Sequence, residues 1–348
     1  MGTNRAFTFG ILADDLTSAA DGAGPFVERG LSAVVGRGQL AQQQASVMAI
    51  DSGSRSASQR EAAHRAAELT APLASRDILY KTVDSTLRGH ISVELEACFK
   101  ASGRKTLVFA PAFPAAGRTT VGGIQCLDGV PVSDTAYGHD PVHPARHSRL
   151  LDLLPRSIVH AIVINASTQD ELDAQVAAVP EPKSVLWVGS PGIARSLASC
   201  FAPVTYAPKV RAAASGDILA VIGSANARSH RQAARIAGQA SVTLLLAPHA
   251  RAEDSLSILR ELADDATQML RQHNFAAAIA TGGDTMEAIL GRLGINEFEI
   301  LEELEPGFPL GRAALSGGRT LLIAMKAGGF GDDDTLHRAI TRLRQSTI

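Results

Sequence analysis

The sequence predicts an α/β protein of two domains, each a mostly parallel sheet flanked by helices. Short, almost continuously apolar runs alternate with Ala-rich segments of helical spacing, which is typical of parallel strands that helices cover on both faces. The alternation lapses over residues 201–216 (FAPVTYAPKVRAAASG) and then restarts. The 348 residues also exceed what one core comfortably holds. We therefore predict domains over 1–205 and 206–348.

The first domain is expected to contain seven strands and at least three helices. The apolar runs that predict strands are 7–13, 32–35, 46–50, 77–83, 106–110, 158–165 and 184–188. Helical spacing is found over 16–30, 58–69 and 91–101. Residues 111–148 are rich in Gly, Pro and His and show no clear periodicity, which favours a functional loop.

The second domain repeats the same alternation after the linker. Strands are predicted at 218–222, 242–246, 276–280 and 320–325, and helices at 225–238, 255–274 and 284–293.

Composition excludes several function classes. The chain has 33 basic and 35 acidic residues and only 4% aromatics, so no basic, aromatic surface indicates nucleic acid or a membrane. Apolar runs are far shorter than the ~20 residues of a membrane span, and the N-terminus does not look like a signal peptide. The three cysteines, Cys98, Cys126 and Cys200, are widely spaced and form no CxxC. Reduced thiols and a cytoplasmic location are the expectation.

Polar side chains gather where the strands of the first domain end. Ligands of open parallel sheets bind beyond the carboxyl ends of the strands. The residues at these ends are Asp14, Asp15, Thr17, Asp51, Ser52, Ser54, Arg55, Asp84, Ser85, Thr86, Arg88 and Gly89, with Lys81 just inside its strand. Arg55, Lys81 and Arg88 could bind a carboxylate, and the aspartates could accept hydrogen bonds from hydroxyls. Singly, each is explained as well by a helix cap or a surface ion pair, but the set favours a polyhydroxy acid.

Gly-rich turns follow three strands of the second domain. They are Gly223-Ser224-Ala225-Asn226, the run TGGDT at 281–285 and the run KAGGFG at 326–331. Glycines let a phosphate approach the backbone, and a helix N-terminus offers free N–H groups. One such turn could be merely a tight connection, but three together favour nucleotide binding.

Several well-known motifs are absent from the sequence. There is no GxxxxGK[ST], no GxGxxG after the first strand, no HExxH and no GxSxG. His139, His143 and His147 have the i, i+4, i+8 spacing of metal ligands on a helix, but Pro141 and Pro144 interrupt any helix there. We predict no protein metal site and expect this loop to contact the substrate or the other domain.

Five motifs resemble those of the four-carbon acid sugar kinases. They are ILADDLTSAADGA (11–23), KTVDSTLRG (81–89), APAFPAAGRTTVGG (110–123), TGGDT (281–285) and KAGGFG (326–331), and they cover essentially the whole chain in family order. Members of this family phosphorylate threonate, erythronate or 3-oxo-tetronate at the 4-hydroxyl. The resemblance implies an N-terminal acid-sugar-binding domain and a C-terminal nucleotide-binding domain.

The resemblance also implies site residues. Substrate positions are Asp15, Arg55, Lys81, Thr82, Val83 and Asp84, to which the strand-end argument adds Ser85 and Arg88. ATP positions are Ser224, Gly282, Gly283, Asp284, Thr285, Gly328 and Gly329. Two departures stand out: the chain is shorter than usual for the family, mostly in its second half, and Ser18 stands where Gly is more frequent.

These expectations define a mechanistic hypothesis. Asp15 would take the proton of the terminal hydroxyl, with Asp14 as the reserve candidate, while Arg55, Lys81 and Arg88 hold the acid. Mg²⁺ would bridge the ATP phosphates through Asp284 or through waters, and Lys326 could neutralise developing charge. The partners are thus a sugar acid and ATP; the Ala-rich helices could pack a homodimer or simply cover the sheet. Competing interpretations are a sugar-acid isomerase or dehydrogenase, and a catalytically degenerate, regulatory relative that retains the sugar-acid pocket.

Overall fold

The computed structural model describes residues 7–140, 143–203, 213–248 and 255–345. The chain forms two compact units, Met1–Tyr206 and Ala207–Ile348.

The first unit is built on a seven-stranded sheet. Its strands are β1 (Phe9–Ala13), β2 (Ala33–Arg37), β3 (Val47–Asp51), β4 (Ile78–Thr82), β5 (Thr106–Ala110), β9 (Ala161–Val163) and β10 (Val185–Gly189). Between β5 and β9, the chain forms a separate small sheet of β6 (Arg118–Val121), β7 (Ile124–Leu127) and β8 (Val130–Pro131). The order is β2-β3-β1-β4-β10-β5-β9, and every pair in it is parallel. This confirms the predicted fold class for the first unit.

Helices pack on this sheet. They are α1 (Leu16–Glu28), α2 (Gln59–Thr70), α3 (Ile91–Ser102), α4 (Gln169–Ala177) and α5 (Pro191–Phe201). Strands β1, β3, β4 and β10 are buried along their whole length, as expected for strands with helices on both faces. The predicted strand over 158–165 is wrong in extent, because only Ala161–Val163 pair, as the half-exposed edge strand β9.

The first unit contains two helices that periodicity did not indicate. Only Leu172 and Val176 of α4 are buried, so the helix has too few apolar residues for its periodicity to be recognised in the sequence. Its N-terminus nevertheless carries a capping box, in which Thr168 and Glu171 satisfy each other's backbone N–H groups.

The segment 111–148 is not a structureless loop. It contains the antiparallel sheet of β6, β7 and β8. Gly122-Gly123 and Asp128-Gly129 join these strands, and all four residues have positive φ. Two-residue connections of this kind are typical of tight hairpins. The GG and DG pairs were therefore the sequence signal that the prediction missed.

The second unit has a six-stranded mixed sheet. Its strands are β11 (Ile218–Ile222), β12 (Val242–Leu246), β13 (Ala277–Thr281), β14 (Glu297–Glu305), β15 (Phe308–Ala314) and β16 (Thr320–Lys326), and its helices are α6 (Ala227–Ile236), α7 (Ser255–Gln272), α8 (Gly283–Leu293) and α9 (Thr335–Arg344). The order is β12-β11-β13-β16-β15-β14, with parallel pairs up to β16 and antiparallel pairs beyond it. The hairpin β14–β15 was not predicted, since the acidic run EFEILEELE does not read as a buried strand.

Cys98 and Cys126 are buried and Cys200 is half-buried, and none of the three is in a disulfide. Within the described residues, no helix combines the length and the apolar character that crossing a bilayer requires.

Candidate functional site

The site lies where three adjacent strands of the first unit end. Strand β1 pairs with β3 on one side and with β4 on the other, so chain connections diverge from it in both directions. Asp14 and Asp15 follow β1, Arg55 follows β3 and Asp84 follows β4. Such a switch point of a parallel sheet leaves a crevice in which ligands bind.

Arg55 binds the aspartates that follow β1. Its Nε and Nη2 donate to Asp14 Oδ2 and Oδ1 at 2.7 and 2.8 Å, and its Nη1 pairs with Asp15 Oδ2. Asp84 Oδ2 lies 3.8 Å from Nη1. Burial alone would lower the pKa of Arg55, but the three carboxylates outweigh it and raise this pKa well above its usual value. The guanidinium is therefore fully engaged by the protein in this conformation.

Asp14 and Asp15 are neighbours with opposite pKa shifts. Burial favours a neutral Asp14, but the charges of Arg55 and Lys81 prevail and lower its pKa. Burial raises the pKa of Asp15, and repulsion by Asp14 adds to this, while Arg55 opposes it incompletely. Asp15 also caps α1, because its Oδ1 accepts from Ser18 N at 2.7 Å. The site thus contains one fixed anion and one carboxyl that titrates more readily.

Lys81 pairs in register with Leu12, two residues before Asp14, and is 1% exposed. Its Nζ is 3.1 Å from Glu94 Oε2 and donates to Thr82 O at 2.8 Å. Ser54 Oγ donates to Glu94 Oε1 and lies 2.8 Å from Ser52 Oγ. Lys81 therefore faces the interior, and the expectation that it touches the substrate does not follow from its position.

Arg88 is the most accessible of the three expected cations. Its Nη2 donates to Asp84 Oδ2 at 2.6 Å, whereas Nη1 is 3.7 Å from Asp140 Oδ2, beyond hydrogen-bond distance. The guanidinium carbon lies 5.1 Å from the ring centre of Tyr137. Burial acts against the charge of Asp84, but Arg88 and Arg55 lower its pKa strongly. Asp84 and Tyr137 thus hold Arg88 at the edge of the crevice.

The remaining residues that were expected to bind substrate follow or end the same strand, β4. Thr82 and Val83 are 2% and 3% exposed, and Val83 N donates to Gly189 O. The hydroxyl of Thr82 is buried without a hydrogen-bond partner. The carbonyl of Ser85 accepts from Gln125 Nε2 at 2.8 Å. The segment that follows β4 thereby contacts β7 of the small sheet.

One histidine of the 139–147 segment reaches the site. The ring of His143 lies 6.1 Å from that of His90, and His143 N donates to Asp140 Oδ1. Burial lowers the pKa of His143, and the charge of Arg55 lowers it further. The described residues contain no group of three or more His, Cys, Asp or Glu side chains that could bind a metal.

The three Gly-rich turns of the second unit pack against one another. A Cβ on Gly223 would lie 1.9 Å from Thr285 Oγ1, and a Cβ on Gly328 would lie 2.0 Å from Ser224 Oγ. Gly282 has φ +95° and its N donates to Lys326 O. Only glycine allows this approach, so the turns after β11, β13 and β16 lie against one another.

Cations border this surface. Lys326 Nζ donates to Ala327 O at 2.9 Å, and Arg228 Nη1 donates to Gly329 O and Gly331 O at 3.0 Å. Burial and the nearby Arg228 lower the pKa of Lys326 to about 7. Asp284 is exposed in the first turn of α8. Arg228 lies in the first turn of α6, and no sequence motif pointed to it.

Two family models match the chain. The model for a sugar-binding N-terminal domain matches residues 9–160, and that for a nucleotide-binding C-terminal domain matches residues 250–336. A D-threonate kinase of Cupriavidus necator is 32% identical, with 97% of this chain and 98% of the relative covered. A D-threonate kinase of Bordetella bronchiseptica is 30% identical over 97% of each chain. The chain belongs to the four-carbon acid sugar kinase family.

Other relatives and structures extend this comparison. A 3-oxo-tetronate kinase of Pectobacterium atrosepticum is 25% identical, covering 95% of this chain and 97% of the relative. A solved structure from Salmonella typhimurium LT2 has the same fold, with a TM-score of 0.78, 20% identity and coverage of 95% and 98%. A structure from Bordetella bronchiseptica, 28% identical with a TM-score of 0.51 and coverage of 98% and 99%, is a domain-swapped dimer with bound citrate.

Proposed function

We propose that this family member is an ATP-dependent kinase of the terminal (4-) hydroxyl of a four-carbon sugar acid such as threonate, erythronate or 3-oxo-tetronate. The observation that carries the proposal is the cluster of Asp14, Asp15, Arg55, Asp84 and Arg88 at the switch point of the first sheet. We assign residues 1–205 to the acid sugar and 206–348 to the nucleotide. Cytoplasmic location remains part of the proposal.

The substrate carboxylate would bind at Arg88. Its Nη1 lies 3.7 Å from Asp140 Oδ2, so a substrate carboxylate would take the place of this long ion pair while Nη2 stays on Asp84. The ring of Tyr137, 5.1 Å from the guanidinium carbon, would help to hold the cation. Arg55 can contact the acid only if the ion pair between its Nη1 and Asp15 opens. The neighbouring carboxylates would accept hydrogen bonds from the hydroxyls. The citrate bound to the Bordetella bronchiseptica protein agrees with a carboxylate ligand in a relative.

Asp15 is the proposed general base. A base must accept a proton near neutral pH and must lie at the surface of the crevice. The pKa of Asp15 is raised and its side chain is 20% exposed, whereas Asp14 is 4% exposed and held by both nitrogens of the Arg55 fork. Asp14 would fix Arg55, and Asp15 would orient the hydroxyl and take its proton late in the transfer.

The Gly-rich turns of the second unit would hold the ATP phosphates. The backbone N–H group of Gly282 already donates to Lys326 O. Those of Gly283 and Gly329 would donate to phosphate oxygens, and the first turn of α8 adds a favourable dipole. Mg²⁺ neutralises phosphate charge in such reactions, and the exposed carboxylate of Asp284, directly or through water, is the group here that would hold it. Lys326 would add positive charge beside the turn.

A regulatory relative without turnover is the second candidate. The alignment to the Bordetella bronchiseptica kinase runs over 404 positions, more than the 348 residues of this chain, so the relative has segments that this chain lacks. If the relative needs these segments to form its adenine pocket, this chain would bind an acid sugar but not ATP, and it would transfer no phosphoryl group.

One assay separates the candidates. ADP release from Mg-ATP is measured over a panel of four-carbon sugar acids, with mass spectrometry of the product. A phosphorylated tetronate confirms the kinase and names its substrate. Thermal stabilisation by an acid without any ADP would favour the regulatory relative. Light scattering on the same sample would show whether this chain forms a homodimer.

A further inference from the structure

We propose that Glu94 is a positioning residue of the phosphoryl-transfer site: it fixes the buried ammonium of Lys81 and, through Ser54 and Ser52, the backbone at Ala13, and so keeps Asp14 locked to Arg55. The inference rests on the proposed kinase function. Neither the motifs nor the strand-end argument pointed to Glu94, which lies in the first turn of α3.

The ion pair of Lys81 and Glu94 is buried. Lys81 and Glu94 are 1% and 2% exposed, and their charged atoms are 3.1 Å apart. Two buried charges are costly to desolvate, and apolar residues of similar size often replace such a pair without loss of stability. An ionic pair at this depth therefore calls for a reason other than stability.

Further hydrogen bonds hold both members of this ion pair in place. Glu94 uses one oxygen for Lys81 and the other for the hydroxyl of Ser54, which Ser52 Oγ contacts in turn. Ser52 Oγ donates to Ala13 O at 2.7 Å, at the residue before Asp14. Lys81 Nζ donates to Thr82 O at 2.8 Å. The chain of contacts thus joins α3, the end of β3 and the end of β1 around a single ammonium group.

The charge of Lys81 affects the aspartates that follow β1. Arg55 and Lys81 are the two cations whose charges hold Asp14 in its ionised form. Ionised Asp14 in turn accepts both hydrogen bonds of the Arg55 fork, whose remaining nitrogen pairs with Asp15. Without a partner, the buried ammonium of Lys81 would lose its proton more easily, because burial works against its charge. Glu94 would therefore act on Asp15 through Lys81, Asp14 and Arg55, and it touches no substrate itself.

The test compares wild type with the single variant Glu94→Gln and the double variant Lys81→Met/Glu94→Gln. Glutamine keeps an acceptor for Ser54, so the hydrogen bond survives and the charge is lost. The double variant removes both charges and is expected to fold, with a Tm near that of wild type. Its kcat/KM should nevertheless fall roughly 10- to 100-fold, mainly in kcat, because Asp14 and Arg55 are no longer held in place.

The pH profile separates positioning from a structural role. In the single variant, Lys81 should lose its proton at lower pH, so kcat/KM should decline with rising pH over a range where wild type is level. A double variant with native Tm and at least half of the wild-type kcat/KM would overturn the proposal, and so would an unchanged profile in a folded single variant. If wild type itself transfers no phosphoryl group to any acid, the proposed function has failed and the positioning role fails with it, whereas an active wild type with unaffected variants overturns only the role of Glu94.

Discussion

Arg55 donates two parallel hydrogen bonds to Asp14 and uses its remaining nitrogen for Asp15, so one guanidinium joins the consecutive aspartates that end β1. The two carboxyls share a cation but differ in accessibility and in the direction of their pKa shifts. This difference assigns different roles to residues that are adjacent in sequence and identical in type.

Replacement of the two aspartates should have different consequences. Asp15→Asn should lower kcat by roughly 10²–10⁴-fold in a folded protein, because the base is lost while the cap on α1 can survive through the amide oxygen. Asp14→Asn should lower the Tm more, since Arg55 loses its buried partner. Steady-state kinetics and thermal melts on both variants check this. A loss of kcat below tenfold for Asp15→Asn would restrict this residue to substrate binding.

Acid should destabilise the protein through Asp84. Its folded-state pKa lies below the usual value of 3.8, so its ionised form stabilises the fold at neutral pH. That contribution is complete above pH about 4 and is lost as the pH falls further toward the lowered pKa. The urea midpoint should therefore fall between pH 7 and pH 3 in wild type, and fall less in Asp84→Asn. Asp152→Asn, which changes an exposed carboxylate, is the matched control and should follow wild type.

Nucleotide affinity should depend on pH through Lys326. With a pKa of about 7, this amine loses its charge as the pH rises through neutrality. Bound phosphate would favour the charged form, so ATP should bind with proton uptake and its Kd should increase from pH 7 to pH 9. Calorimetry in buffers of different ionisation enthalpy measures the uptake. Lys326→Met should bind ATP more weakly at pH 6.5 and show no such trend; a trend that persists would assign the proton to another group.

A methyl group on Gly328 should disrupt the turns of the second unit. The new Cβ would lie 2.0 Å from Ser224 Oγ and 2.7 Å from its Cβ, so the turn must shift. We expect Gly328→Ala to weaken ATP binding at least tenfold, measured by fluorescence titration or calorimetry, while binding of the sugar acid is retained. Gly238→Ala is the control: that glycine has positive φ, but no atom lies within 4 Å of its added Cβ. It should cost about 1 kcal/mol of stability and leave ATP affinity unchanged.

Local pattern was sufficient for most of the fold. The apolar runs FGILA, which two aspartates follow, and TLVFA predicted β1 and β5, because buried parallel strands need apolar residues on both faces. The hairpin β14–β15 escaped prediction because its stability comes from pairing with β16, which a short sequence window does not contain.

Part of the candidate site could also be predicted from the sequence, and part could not. Asp14, Asp15, Arg55 and Asp84 could be placed together because parallel strands bring their carboxyl ends to one edge. The sequence by itself thus determined the fold class, the family and the edge of the sheet at which polar residues meet. Only the tertiary structure decided that Lys81 turns inward to Glu94 and that Arg55 is occupied by aspartates. Charge pairing in a buried cluster depends on distances between residues far apart in the chain, and local periodicity carries no information about those distances.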